Sequence, residues 1–184
     1  MNPRSPYDTL VTVYGGSGFL GRHVVRALAK RHYRIRVAVR RPELAGHLQP
    51  LGRVGQIHAV QANLRNAVSV EAAAHDAEVL VNLVGILFER GRQRFDAVQV
   101  QGAEHVALAA KTRGARMVHV SAIGADGHST SAYGRSKAAG EQAVLAAMPE
   151  AAIMRPSIIF GPDDDFFNRF GALARMSQIG RAHV

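Results

Sequence analysis

Residues Val11–Gly21 read VTVYGGSGFLG: an apolar strand runs into a glycine-rich turn, and the turn runs into a helix. Gly16, Ser17, Gly18, Phe19, Leu20 and Gly21 fit a Gly-x-Gly-x-x-Gly spacing, with Gly15 just ahead. The early glycines let the backbone turn at dihedral angles that other residues resist. Gly18 lets the backbone approach a pyrophosphate with no side chain in the way, and Gly21 lets the helix pack close to the strand. The helix then aims its N–H groups and the positive end of its dipole at the phosphates. Glycine turns are common, so the context decides. Leu10–Tyr14 is strand-like, and Phe19–Arg31 carries Leu20, Val24, Val25 and Leu28 at helical intervals. The stretch therefore reads as the phosphate-gripping start of a dinucleotide fold.

Working outward, strand and helix alternate. Arg34–Val39 is a second strand, stopped by the proline of Arg40-Arg41-Pro42. Leu44–Leu51 is a short helix or loop, and Ile57–Gln61 is a third strand. Ser69 is expected to cap a helix running through Glu71 to His75. Val79–Val84 is almost continuously apolar, as a central parallel strand buried on both faces should be. A polar loop follows at 89–94, then a long helix Phe95–Arg113 ended near Gly114. Met117–Val120 is a fifth strand, Ala132–Met148 a helix, Ala152–Met154 a sixth strand, and Phe166–Met176 a last helix. This rhythm predicts an α/β Rossmann fold: a doubly wound parallel sheet, strand order 3-2-1-4-5-6, with helices on both faces and the cofactor across the carboxyl ends of the strands.

The end of the second strand selects the cofactor. In such folds an acidic residue about 20 positions after the glycines binds the ribose 2′-hydroxyl. Here Arg40 stands at that position, with Arg41 next. A carboxylate repels a 2′-phosphate, whereas guanidiniums pair with it. NADP(H) is expected in preference to NAD(H), which stays open as the second choice.

Ser121, Tyr133 and Lys137 form the second constellation. Tyr133 and Lys137 are four apart on a predicted helix and face the same way. An ammonium beside a phenol favours the phenolate and lowers a pKa that is ordinarily about 10. Such a tyrosine exchanges a proton with a carbonyl or alcohol as hydride moves. Ser121, at a strand end facing the same crevice, would hydrogen-bond that oxygen.

Bulk properties narrow the alternatives. The 184 residues suit one domain with a real core. No apolar run approaches a membrane span, and the start MNPRSPYDT has no signal-peptide core. The absence of cysteine excludes disulfides and fits a reducing, cytoplasmic compartment. The formal charge is +9, yet 20 of the 23 basic residues are arginines spread through an Ala-, Gly- and Val-rich chain, without a like-charge block or a stacking ladder of aromatics. No nucleic-acid partner is expected. The histidines are scattered, and consecutive carboxylates at Asp163, Asp164 and Asp165 point in different directions, so no metal site is expected. The last residues, 178–184 (QIGRAHV), look like translated sequencing adapter rather than protein. The expected division is a dinucleotide-binding domain over 1–177, lacking its C-terminal substrate portion, followed by a non-native tail at 178–184.

Taken together, the turn Tyr14–Gly21, Val120-Ser121, Tyr133-Gly-Arg-Ser-Lys137 and Arg155-Pro-Ser-Ile-Ile-Phe-Gly-Pro162 resemble a short-chain dehydrogenase/reductase of the extended, epimerase-like branch. The wording GGSGFLGRHVVRALAKR, VNLVGILFERG and FFNRF is most similar to the atypical group that contains the accessory subunit of respiratory complex I and its bacterial relatives. The resemblance implies that Asn63 and Leu64 lie near the adenine, and that Leu83, Val84, Gly85 and Pro156 line the cofactor. It implies Tyr133 as acid/base and Lys137 as holder of the nicotinamide ribose. It further implies a tightly held NADP(H) and association with a respiratory membrane complex or quinone metabolism, peripheral at the inner face of the inner membrane. Tyr14, Asn63, Gln99 and Phe160 depart from the usual Thr, Asp, Asn and Tyr of the extended enzymes. These departures weigh against a standard sugar-nucleotide epimerase. The intact Ser121–Tyr133–Lys137 set favours an active oxidoreductase, epimerase or dehydratase as the alternative.

Overall fold

A computed structural model describes residues 5–161 and 164. Its six strands are all parallel and lie in the order 3-2-1-4-5-6, as the alternation predicts. The strands are β1 Leu10–Tyr14, β2 Arg34–Val39, β3 Ile57–Gln61, β4 Val79–Asn82, β5 Arg116–Val120 and β6 Ala152–Met154. The helices are α1 Phe19–Lys30, α2 Ala67–Ala74, α3 Gln101–Arg113 and α4 Ala132–Ala147. Short 3-10 turns occupy Pro42–Leu44 and Gly46–Leu51. The last expected helix and the expected tail lie outside the described residues.

Side-chain alternation splits the central strand between two cores. Leu10 and Tyr14 of β1 face α2, α3 and α4 in a cluster with Val70, Leu80, Val106 and Val144. Val11 and Val13 face α1, packing with Val25, Ile35, Val37 and Leu48. Beyond α1 that second face is thinly covered by the described residues. An apolar cavity of about 590 Å³ there is lined by Val24, Leu28, Val81, Val118 and Met154 among others.

Two local readings are corrected. Asn66, not Ser69, caps α2: its side chain accepts from Ser69 N at 3.2 Å. Ser69 sits three residues inside the cap, and its hydroxyl instead ties down the chain at Asn63 by accepting from Asn63 N at 3.0 Å. The expected long helix from Phe95 opens as a π-helical turn over Asp96–Val100 before α3 proper begins. Such turns are rare and locally widen the helix. Here α4 packs against the widened turn so closely that a Cβ at Gly140 would lie 2.2 Å from the Gln99 carbonyl oxygen. That glycine brings α4, and Lys137 on it, against the end of the sheet.

Candidate dinucleotide site

At the carboxyl ends of β1, β2, β3 and β4 the chain encloses a cavity of about 270 Å³. Gly15, Ser17 and Gly18 form one wall, Arg40 closes the end beyond β2, and Asn63 and Leu64 flank it beyond β3. Leu83, Val84 and Gly85, following β4, form the far wall. These nine of the expected cofactor residues are brought together. Gly16 and Gly21 lie behind the cavity and work through the backbone. A Cβ at Gly21 would sit 2.4 Å from the Gly15 carbonyl oxygen and 2.6 Å from Gly16 Cα. Gly15 adopts φ +79°, a left-handed conformation natural to glycine.

The geometry fits a diphosphate at the start of α1. Gly18 is the N-cap, no side chain caps the helix, and no acidic residue stands in its first turn. The first N–H groups are therefore left without a side-chain partner at the positive end of the dipole. A Cβ at Gly18 would meet only the Gly15 carbonyl oxygen, at 3.4 Å, so that side is open for close approach.

The other expected residues stand apart from this cavity. Arg41 caps the 3-10 turn at Pro42 and does not line it. Leu20 and Pro156 line the apolar cavity on the α1 face instead, and Phe19 packs edge-on against His23. The walls also include Ala38, Val39, Ala62, Arg65, Ile86, Gln93 and Val98, which the sequence reading did not single out. Arg65 follows the turn in which Asn63 Oδ1 accepts from Arg65 N at 3.2 Å. Gln93 and Val98 reach the cavity only because the chain after β4 folds back over it.

Ser121 and Lys137 lie together at the neighbouring end, past Gly85, and Tyr133 stands one turn before Lys137 on α4. Ser121 is buried at the end of β5, and its Oγ has no hydrogen-bond partner among the described residues. Lys137 is 4% exposed, and its Nζ donates to the Val120 carbonyl at 3.0 Å. A Cβ at Gly85 would lie 3.9 Å from the same Nζ, so Gly85 joins the two ends of the crevice. Tyr133 is half-buried and meets the Phe95 ring edge-on, with centroids 6.2 Å apart.

The electrostatics differ from the sequence expectation. Burial pushes the Tyr133 phenol above its ordinary pKa; Lys137 does not pull it down. Burial lowers Lys137 itself to about 8, with the Glu141 carboxylate acting in the opposite direction. His119, two residues before Ser121 on β5, is lowered to about 4 by burial and by Lys137, against the pull of Glu141. It is neutral at physiological pH, and Asn82 Nδ2 donates to its Nδ1 at 3.2 Å.

Positioning comes from α4 and the π-helical turn. Gln99 Nε2 donates to Ser136 Oγ at 2.6 Å, and Ser136 Oγ donates to the Tyr133 carbonyl at 2.8 Å. Gln99 Oε1 accepts from Ile86 N at 3.4 Å, which ties the loop after β4 to the helix of Tyr133 and Lys137.

No helix among the described residues is long and apolar enough to cross a membrane. The profile of the NAD dependent epimerase/dehydratase family matches residues 11–179. The chain is 41% identical over 155 residues to a protein of Caulobacter vibrioides named ceramide reductase, covering 84% of this chain and 48% of that one. It is 39% identical over 162 residues to the mitochondrial NADH dehydrogenase [ubiquinone] 1 alpha subcomplex subunit 9 of Arabidopsis thaliana, covering 86% of this chain and 40% of that one. The chain thus spans under half the length of these two curated relatives. A solved putative NAD-dependent epimerase/dehydratase from Bacillus halodurans shares the fold, with TM-score 0.70, 20% identity, and coverage of 85% of this chain and 74% of that one. With its 3-2-1-4-5-6 sheet and glycine-walled crevice, the chain belongs to the NAD dependent epimerase/dehydratase family, the extended, nicotinamide-dinucleotide-binding branch of the short-chain dehydrogenase/reductases.

Proposed function

We propose that this chain is the nucleotide-binding portion, residues 1–177, of an SDR-like accessory protein that holds NADP(H) in preference to NAD(H) and serves respiratory complex I or quinone metabolism. The observation that carries the cofactor preference is Arg40 on the cavity wall just past β2, where a carboxylate would select NAD(H). A guanidinium at that point pairs with a 2′-phosphate. The likeness to the Arabidopsis complex I subunit supports the respiratory partner and a peripheral place at the inner face of the inner membrane. The accessory role is supported by the same likeness and by the departures at Asn63, Gln99 and Phe160 from the residues usual in the extended enzymes.

When bound, the dinucleotide supplies or accepts a hydride. In the proposed site the backbone at Gly15 and Gly18 and the start of α1 hold the diphosphate, and Lys137 holds the nicotinamide ribose. Ser121 Oγ would orient a carbonyl oxygen, and Tyr133 would pass a proton to it. A second reading, an active oxidoreductase or epimerase, is favoured by the presence of Ser121 beside Lys137, with Tyr133 one turn before Lys137 on α4, and by 41% identity to the ceramide reductase.

Tyr133→Phe separates the two. In the accessory reading, NADPH affinity stays within about twofold of the parent and no carbonyl compound is reduced by either protein. Reduction by the parent that falls roughly 10²- to 10⁴-fold in the variant would establish the enzyme instead.

A further inference from the structure

Behind Lys137 lies a set of charged and polar groups that cofactor binding does not use. Glu141 follows Lys137 by one turn on α4 and is 5% exposed. Arg155, leaving β6, donates from Nε to both carboxylate oxygens of Glu141 at 2.9 and 3.2 Å, and from Nη2 at 2.5 Å. Two residues on the same side of β5, His119 and Ser121, complete the cluster; each has a buried polar atom, Nε2 and Oγ, with no hydrogen-bond partner among the described residues.

The charges in this cluster do not balance without Glu141. The hydrogen bond of Lys137 Nζ goes to a neutral carbonyl, and no anion among the described residues is in direct contact with the buried ammonium. Among the described residues the titratable groups that act on it or that it acts on are neutral His119 from β5 and Glu141 of α4, which pairs with Arg155 at the end of β6. Glu141 is the anion of this group. Burial works to raise its pKa, but the hydrogen bonds and the charge of Arg155 hold it below the ordinary carboxylate range. Arg155 donates to both carboxylate oxygens and holds the carboxylate on its own side of the cluster, with no direct Glu141–Lys137 ion pair among the described residues. The lysine therefore feels the charge while its Nζ stays directed at Val120 and Gly85.

We propose that Glu141 is a positioning residue for the nicotinamide end of the crevice: clamped by Arg155, it supplies the counter-charge that keeps the buried Lys137 an ammonium directed toward Gly85. This rests on the proposal that Lys137 holds the cofactor's ribose. Lys137 acts on the ligand, and Glu141 acts through Lys137.

The chain contains three lysines, Lys30, Lys111 and Lys137, so lysine labelled with ¹³C at Cε gives three NMR signals, two of them internal references. The Lys137 signal is expected to titrate near pH 8. Glu141→Gln should move that midpoint down by about one unit, the size of a nearby-charge effect. Arg155→Met, which removes the competing cation, should move it up, and Glu141→Asp should return it close to the parent value. A fold that merely loosens would move both variants the same way. An unmoved midpoint in Glu141→Gln, or shifts of one sign in both variants, overturns the proposal. Should Glu141→Gln fail to fold, the upward shift in Arg155→Met carries the test, and its absence overturns the proposal. NADPH titrations from pH 7 to 9 on the same proteins and on Lys137→Met test the underlying proposal separately. Affinity indifferent to Lys137→Met refutes the cofactor role of Lys137, whatever Glu141 does. Affinity that loses its pH dependence in Lys137→Met, beside an unmoved Glu141→Gln midpoint, refutes the role of Glu141 alone.

Discussion

The two ends of the crevice are built from different materials. At the diphosphate end the chain relies on backbone: a glycine in a left-handed conformation at Gly15, a close approach at Gly21, and a helix start without a side-chain cap. At the nicotinamide end it relies on buried side-chain charge: Lys137, Glu141 with Arg155, and a neutral His119 beneath them. The first kind of site is closely packed and local in sequence. The second is assembled from three distant segments, and its state depends on protonation. In the proposed function, binding and chemistry would thus rest on separate supports, so that one could be damaged while the other stands.

The largest expected effect falls on the backbone end. Gly21→Ala drives a Cβ into the carbonyl of Gly15 and the backbone of Gly16, atoms that cannot swing aside. A loss of about 3 kcal/mol in stability is expected from such overpacking, with NADPH binding abolished. Urea unfolding of the variant checks it; unchanged stability would mean that strand and helix are not packed through this glycine.

Next comes the charge at the other end. His119 is held to about 4 in the fold, against an ordinary 6.5. The unfolded chain therefore binds more protons between these values, and stability is lost as pH falls from about 6.5 through 4. The loss should amount to about 2 kcal/mol, somewhat under the full linkage value. Urea midpoints across that range should fall in the parent and fall less in His119→Gln. A mild variant at the diphosphate end, such as Ser17→Ala, should keep the parent's pH slope, because no titrating group there takes part. Equal slopes in the parent and His119→Gln would erase the distinction between the two ends.

The smallest effect concerns Arg41. It neighbours Arg40 in sequence, yet it caps a 3-10 turn and does not line the cavity. Arg41→Ala should change NADPH affinity less than about threefold, as expected for an exposed charge beyond direct contact. A loss matching that of Arg40 substitution would extend the 2′-phosphate clamp to both arginines.

The same contrast separates what the sequence discloses by itself from what only the fold brings together. Gly15–Gly21, the strand order and the place of Arg40 are legible because each depends on local backbone demands or on the alternation of short elements. The misreadings have physical causes as well. Ser69 and Asn66 are both good caps, and only the tether of Ser69 to Asn63 decides between them. The π-helical turn inserts a residue into the helical period, so the periodicity of 95–113 reads straight through it. The link of Gln99 to Ser136 and Ile86 depends on that turn. The pairing of Glu141 with Arg155 requires β6 to lie beside β5 and under the end of α4. One signal was present in the sequence, the spacing of Tyr133, Lys137 and Glu141 at four-residue intervals along one helix. It puts an acid in line with the acid–base pair, and it is informative only once that helix face is known to be buried.

The measurement that bears most directly on this account is a fluorescence titration of the chain with NADPH and with NADH, run beside Arg40→Asp. The account predicts tighter binding of NADPH than of NADH. It also predicts that Arg40→Asp loses roughly 10- to 100-fold in NADPH affinity, the value of a charged hydrogen bond, with NADH affected little. A folded chain that binds neither dinucleotide, or binds NADH as tightly as NADPH with no response to Arg40→Asp, would contradict it.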